Sequence, residues 1–233
     1  MIIAPPFRIG FLLFPRLTQL DLTGPYEILS RMPGAEMHLV AKTLEPVASE
    51  KGLRLLPTTT LAACPPLDLV CVPGGIGVND VLADAAMLDF LQRMAWGARY
   101  VTSVCTGSLA LGAAGLLKGR RAACHWAARD LLRRFGATPA AERVVIDGKF
   151  ITGGGVTAGI DFALAVIEQL RGRELAEAIQ LSVEYDPHPP FDAGSPERAP
   201  PAILERVKRA LAPMLNERDL AVGRAAALLD ADT

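Results

Sequence analysis

Short apolar runs alternate with amphipathic stretches along this chain, a pattern that predicts strands followed by helices. Phe7–Leu13 reads as a first buried strand. Thr23-Gly24-Pro25 reads as the start of a helix reaching about Met32, because Thr is an acceptable cap and Pro suits a first turn. Met37–Ala41 follows as a strand and Val47–Pro57 as a small hairpin or loop excursion. Leu67–Pro73 is a continuous apolar strand running into Pro73-Gly74-Gly75. Ala83–Gly97 carries an apolar stripe at Met87, Leu88, Leu91 and Met94/Ala95, at helical spacing. Arg99–Val104 returns as a strand, and Thr106–Ala114 is a helix closed by Gly115. Ala127–Phe135 is a further helix, and Glu142–Thr152 a β-hairpin turned by Asp147-Gly148. Helices at about Thr157–Leu170 and Arg173–Glu184 come next. Residues 186–201, rich in Pro, Asp and Gly, form an extended surface segment, and two last helices cover about 201–216 and 218–230.

This order predicts one α/β domain over residues 1–233, with a mostly parallel central sheet flanked by helices on both faces. Ligands of such sheets bind beyond the carboxyl ends of the strands. Three Gly-rich or reactive segments fall at those ends: 74–77, 105–107 and 153–155.

Composition narrows the classes. Of 233 residues, 51% are hydrophobic and 21% charged, enough for a sizeable core. A formal net charge of −1 leaves no basic field for a phosphate backbone, which argues against nucleic acid as a main partner. The apolar runs are far shorter than the roughly 20 residues of a membrane helix. Met1–Pro6 has neither the basic nor the long apolar part of a secretory leader, so a cytoplasmic, reduced protein is expected. Cys64, Cys71, Cys105 and Cys124 form no C-x-x-C pair, and with three His no metal cluster suggests itself.

The chemistry centres on Ser103-Val104-Cys105-Thr106-Gly107-Ser108, where a strand runs straight into a helix with Cys at the junction. The same logic underlies the nucleophile elbow of serine hydrolases. A helix start offers free N–H groups and positive dipole, which favour thiolate, and Gly107 and Ser108 allow close approach. A buried cysteine is often only a small hydrophobe, and Cys71 in mid-strand reads that way. Cys64 sits in a loop before Pro65-Pro66, and Cys124 packs near the site. Asp21, between two Leu at the carboxyl end of the first strand, is a partly buried proton carrier or else a solvated helix-start residue. His125 is a base for the thiol or a packing residue. The glycines at 74–75 and 153–155 could line an anion or oxyanion pocket with backbone N–H groups.

Taken together, Asp-Leu-Thr-Gly-Pro (21–25), Pro-Gly-Gly (73–75), Ser-Val-Cys-Thr-Gly (103–107), Gly-Arg-Arg-Ala-x-x-His-Trp (119–126) and Gly-Gly-Gly-Val-Thr-Ala-Gly-Ile-Asp (153–161) resemble the ThiJ/PfpI superfamily, of the class I glutamine amidotransferase-like fold. Within it, the chain is most similar to the isocyanide hydratase branch, from Arg8 to about Ala226. The resemblance implies a flavodoxin-like α/β sandwich, a homodimer and a cofactor-free lyase that hydrates an isocyanide to an N-substituted formamide. It places the nucleophile at Cys105 and its acidic partner at Asp21. It places oxyanion-type backbone donors at Gly75 and Thr106, and a segment packed beside the Cys at Gly154 and Val156. Hydratases often carry Ile where Val156 stands, so packing there differs. The peptidase-like members have His directly after the nucleophile, and Thr106 moves this chain away from them.

The implied mechanism is covalent: the Cys105 thiolate attacks the isocyanide carbon, protonated Asp21 protonates that carbon, and Asp21 as carboxylate then activates water. A thiol of pKa about 8.5 is roughly 3% ionised at pH 7, so full ionisation gains at most about 30-fold. A placed acid or base is worth about 100- to 10,000-fold, so Asp21 carries the larger share. Two rivals stay open. One is a glyoxalase- or deglycase-like enzyme using Cys105 on an aldehyde. The other is a ligand- or oxidation-sensing domain related to AraC-type regulators, although Leu204–Leu229 is too little chain for two helix-turn-helix units.

Overall fold

The computed structural model describes residues 5–231. In chain order the elements are β1 (Phe7–Leu12), α1 (Gln19–Leu29), β2 (Ala35–Ala41), β3 (Val47–Ala48), β4 (Arg54–Leu55), β5 (Thr59–Thr60), β6 (Leu69–Val72), α2 (Val78–Val81), α3 (Ala85–Gly97), β7 (Tyr100–Val104) and α4 (Gly107–Ala113). They continue with β8 (Arg121–Ala122), a 3₁₀ helix at Arg129–Phe135, β9 (Thr138–Pro139), β10 (Val144–Asp147), β11 (Phe150–Gly153), α5 (Ala158–Arg171), α6 (Arg173–Ser182) and α7 (Pro201–Ala231).

Seven strands form the central sheet in the order β10-β11-β7-β6-β1-β2-β5, parallel except for β10. Strands covered on both faces read as unbroken apolar runs, and β1, β6 and β7 are buried almost throughout. Around the sheet, α1 packs on α5 and α3 on α4. From β1 the chain steps outward to β2 and β5, then jumps back to lay β6 on the other side of β1. The strand order therefore reverses between β1 and β6, the position where open α/β sheets leave a crevice beyond the strand ends. Two short antiparallel strands, β3 and β4, realise the hairpin expected over Val47–Pro57.

Several expected boundaries shift, each for a physical reason. The helix expected to begin at Thr23 begins at Gln19, which puts Asp21 in its first turn and Gly24-Pro25 inside it. Gly24 and Pro25 mark a helix crossing instead of a helix start. A side chain at Gly24 would touch Ile160, and one at Gly159 would meet Pro25 Cδ at 3.0 Å. The β10–β11 turn sits one residue later than expected, at Gly148-Lys149, because Asp147 pairs with Phe150. Gly148 has φ 61°. Ala127–Phe135 is a shorter 3₁₀ segment closed by left-handed Gly136.

The two expected C-terminal helices are one continuous helix, α7, that carries Pro213 internally. Half-buried Leu211, Met214 and Leu215 before the expected break, and buried Arg218, Ala221, Val222 and Ala225 after it, lie at helical spacing, so one packed face continues across it. No strand or helix interrupts the mostly exposed stretch between α6 and α7, as its composition implies. No helix is long and apolar enough to cross a membrane among the described residues.

Candidate active site

The loops after β1, β6 and β7 converge at the sheet's switch point. A single bridge pairs Leu17 with Gly75, and Thr18 N–H donates to the Gly74 carbonyl at 2.9 Å. This stitching sets the first turn of α1 directly over the end of β6.

Cys105 takes φ 58°, a left-handed conformation that side chains with a Cβ avoid. It persists because its neighbours over-determine it. Its N–H is shared between the carbonyls of Gly153 (3.1 Å) and Gly154 (3.0 Å), and its carbonyl accepts from Ser108 Oγ at 3.2 Å. Gly107 lies so close to β6 that a Cβ there would sit 2.1 Å from the Val72 carbonyl oxygen. Helix propensity alone favours Ala over Gly at the start of α4 by about 1 kcal/mol. The backbone clash is larger and cannot be relieved by a rotamer. Gly107→Ala should therefore lower stability by about 1–3 kcal/mol in chemical denaturation, and a neutral or positive result would refute the packing account.

Asp21 is fully buried. Its Oδ2 accepts the Gly74 N–H at 3.0 Å, its carboxyl faces the Cys105 side chain, and Oδ1 has no well-formed protein hydrogen bond. A Cβ at Gly74 would lie 2.7 Å from Asp21 Oδ2 and 2.8 Å from Cys105 Cβ, so this glycine lets the carboxyl and the thiol meet. Gly74→Ala should separate them and reduce turnover with little change in secondary structure, measurable as a fall in kcat beside an unaltered circular dichroism spectrum.

The electrostatics of the pair depart from a simple thiolate picture. Burial raises the Asp21 carboxyl from 3.8 to about 7, against the lowering effect of its bonds to Cys105 and the Gly74 N–H. Burial first, and then the charge of Asp21, push the Cys105 thiol well above its ordinary range, although the Thr106 N–H draws it down. Two acids that share one water-poor pocket hold one negative charge between them near neutrality. The helix-start effect expected from α4 is outweighed by burial.

The remaining expected residues divide. The Thr106 hydroxyl accepts the Gly75 N–H at 3.1 Å and donates to the Gly75 carbonyl at 3.4 Å. The Gly75 N–H is thus engaged by that hydroxyl, whereas the Thr106 N–H is directed at the Cys105 sulfur. Gly154 supports the elbow through its carbonyl and is itself anchored by its N–H to the Arg143 carbonyl at 2.9 Å. Val156 is half-buried and lines, with Gly154, Cys124, His125, Trp126 and Pro196, a cavity of about 420 Å³.

His125 makes no hydrogen bond to Cys105 among the described residues. Its Nδ1 accepts the Ala127 N–H at 3.3 Å, and its ring packs against Gly155, where a Cβ would come within 2.5 Å of Cδ2. Burial, helped by Arg218, lowers its pKa, which keeps the ring neutral. Cys71 and Cys124 are buried thiols raised to about 12 and about 11, as suits packing residues. All four cysteines are free. No group of three or more His, Cys, Asp or Glu could hold a metal ion among the described residues.

One participant escapes sequence reasoning: Arg218 is 113 residues beyond Cys105 in a charged helix. The Gly74 N–H, expected as a pocket donor, meets the Asp21 carboxyl. Arg218 is buried, donating from Nη2 to the Gly75 carbonyl at 2.8 Å and from Nε to Asn79 Oδ1 at 3.0 Å.

The chain is 55% identical over 96% of its length to an isonitrile hydratase from Pseudomonas putida, and the match covers 98% of that protein. It is 32% identical over 78% of its length to the HTH-type transcriptional regulator GbdR from Pseudomonas aeruginosa, covering 51% of that longer protein. The crystal structure of a ThiJ/PfpI family protein from Pseudomonas syringae superposes with a TM-score of 0.91 at 44% identity, covering 94% of this chain and 91% of that one. Residues 7–169 match the DJ-1/PfpI family, so the chain belongs to that family.

Proposed function

We propose that this protein is an isocyanide hydratase that converts R–N≡C and water to R–NH–CHO by covalent catalysis without a cofactor. The observation that carries the reading is the left-handed Cys105 at the end of β7 facing Asp21, the one buried carboxylate among the described residues. The name of the 55%-identical Pseudomonas putida relative supports the same substrate.

The steps follow from one shared negative charge. The Cys105 sulfur, as thiolate, forms a bond to the terminal isocyanide carbon, and the carboxylic proton of Asp21 passes to that carbon. The product is a thioimidate, R–N=CH–S–Cys, with Asp21 now ionised. Asp21 next takes a proton from water as the water oxygen bonds to the thioimidate carbon, and passes it to the imine nitrogen, giving R–NH–CH(OH)–S–Cys with Asp21 again ionised. Collapse of this adduct breaks the C–S bond as the hydroxyl proton passes to Asp21, which releases R–NH–CHO, leaves Asp21 protonated and returns the charge to the sulfur. One carboxyl thus serves as acid and then as base. The Thr106 N–H steadies the sulfur when it is charged. The cavity lined by Val156, Trp126 and Gly154, whose carbonyl holds the Cys105 N–H, is the place this reading assigns to R.

The proton count fixes the pH dependence. The doubly protonated pair lacks a nucleophile, so kcat/KM should rise through an apparent pKa of about 7 and level off above it. A profile already flat between pH 5 and 8 would contradict the shared-charge reading.

The founding test is direct. Pure protein incubated with an alkyl isocyanide should yield formamide by NMR, and methylglyoxal should persist. Consumption of methylglyoxal without formamide formation would replace hydration by glyoxalase chemistry, the activity for which a 26%-identical relative from Caenorhabditis elegans is named.

A further inference from the structure

Asp21 and Arg218 are the only acidic or basic side chains that are fully buried among the described residues. They close on adjacent residues of one turn. Asp21 Oδ2 holds the Gly74 N–H, and Arg218 Nη2 holds the Gly75 carbonyl, which also accepts from the Thr106 hydroxyl. No carboxylate lies within ion-pair distance of Arg218 among the described residues; its two bonds go to neutral oxygens. An unpaired buried guanidinium is costly, and arginine does not escape the cost by losing its proton. A charge kept in that state on the edge of a reactive site asks for a role there.

We propose that Arg218 is a positioning residue of the cysteine site: its guanidinium clamps the Gly75 peptide to the Thr106 hydroxyl and supplies the positive charge that lets the Cys105–Asp21 pair carry one negative charge out of water. The proposal rests on the Cys105–Asp21 chemistry given above and names the counter-charge that chemistry lacks. The other groups facing this cluster do not supply it. Glu50, exposed on the β3–β4 loop, is negative and acts on both Asp21 and Arg218. Cys71 on β6 and Cys124 after β8 are neutral thiols, and His125 is held neutral. Arg129, beside Cys124, is a partly exposed cation, while Asp80 pairs with Arg16, and Asp219 with Arg134, at the surface.

The test follows alkylation of Cys105 by iodoacetamide against pH in the full-length protein, read by mass on the peptide that carries Cys105. Arg218→Met should move the midpoint up by about one pH unit. At pH values below the midpoint, that makes the thiol about tenfold slower to react. Arg218→Lys should recover most of the shift by restoring charge. Asn79→Asp is the decisive variant, because it leaves the guanidinium in place and sets a carboxylate against its Nε. The fold should be at least as stable in that variant, yet the midpoint should again rise. Unchanged midpoints in Asn79→Asp and in folded Arg218→Met would overturn the proposal and leave Arg218 a packing residue. Should Arg218→Met not fold, Asn79→Asp decides alone. Alkylation needs no isocyanide. A wild type that fails to make formamide while the variants shift as described would therefore overturn the hydratase reading and uphold the role of Arg218.

Discussion

Cys105→Ala should abolish isocyanide hydration, lowering turnover by about 10⁴-fold or more, while the protein stays folded. The size follows from the chemistry. The other three thiols are buried in packing positions or lie in a loop, and Cys105 is the one at the left-handed turn. Without the sulfur there is no thioimidate, and what remains is water held near a carboxyl. The fold should survive because removing one sulfur atom from a small side chain leaves a void that costs about 1 kcal/mol. The backbone bonds that hold the left-handed turn involve the residue 105 N–H and carbonyl, which alanine keeps. Formamide NMR on the variant reads the activity. Intact-mass spectrometry of the wild type during turnover should add one substrate mass at Cys105. Near-normal turnover in the variant, or an adduct confined to Cys64 or Cys71, would defeat the covalent mechanism.

Asp21→Asn should give two effects of opposite kind. Turnover should fall by about 100- to 10,000-fold, because the amide can neither donate the proton to carbon nor take one from water. Stability should rise, but only at higher pH. The carboxyl has a folded pKa of about 7, raised from 3.8 by burial. A group raised on folding stabilises fully below its unfolded value, and that contribution disappears as pH climbs through the folded one. Wild type therefore loses stability relative to the variant between about pH 4 and 7, with a ceiling of about 4 kcal/mol. Asparagine is neutral throughout and can still accept the Gly74 N–H. Tm should thus be similar for the two proteins at pH 4.5 and several degrees higher for Asp21→Asn at pH 8. A Tm difference that does not change with pH would show that Asp21 is not the buried proton carrier. Loss of activity with gain of stability in one substitution is the mark of a group kept for chemistry at the expense of the fold.

These two results bear on how the site divides its labour. An ordinary thiol would gain at most about 30-fold from full ionisation, and burial here works against the thiolate, so the proposed mechanism does not rely on a freely ionised Cys105. In the proposed mechanism the advantage lies in moving one proton between two groups that cannot both be charged. Gly74 makes that possible by letting the carboxyl and the thiol approach, and Gly107 makes the elbow possible by letting α4 start against β6.

Much of this was legible from local pattern. An apolar run that breaks at Cys-Thr-Gly-Ser marks a strand entering a helix, because alternating and helical periods are written in neighbouring residues. The parallel sheet, the elbow at Cys105 and the Gly-rich strand ends followed from such short-range signals, as did the family resemblance. Where those signals conflicted with packing, they misled. Thr-Gly-Pro looks like a helix start, but Gly24 and Pro25 serve contact with Ile160 and Gly159, more than 130 residues away. Asn216-Glu217 looked like a boundary, but one face packs on the domain from Leu211 and Leu215 before it to Arg218 and Ala225 after it, and the helix runs through.

What the sequence by itself determined is therefore the main strands and helices, the order that makes an α/β sheet, and the one cysteine set at a strand-to-helix turn. Only the tertiary structure decided that Asp21 is buried and facing the thiol, that His125 turns away to Gly155, and that Arg218 closes the turn from the far end of the chain. The physical reason is that proton affinity and charge stabilisation depend on what surrounds a group in three dimensions. Asp21 between two leucines, or Arg218 between Glu217 and Asp219, looks ordinary until the fold removes the water around it.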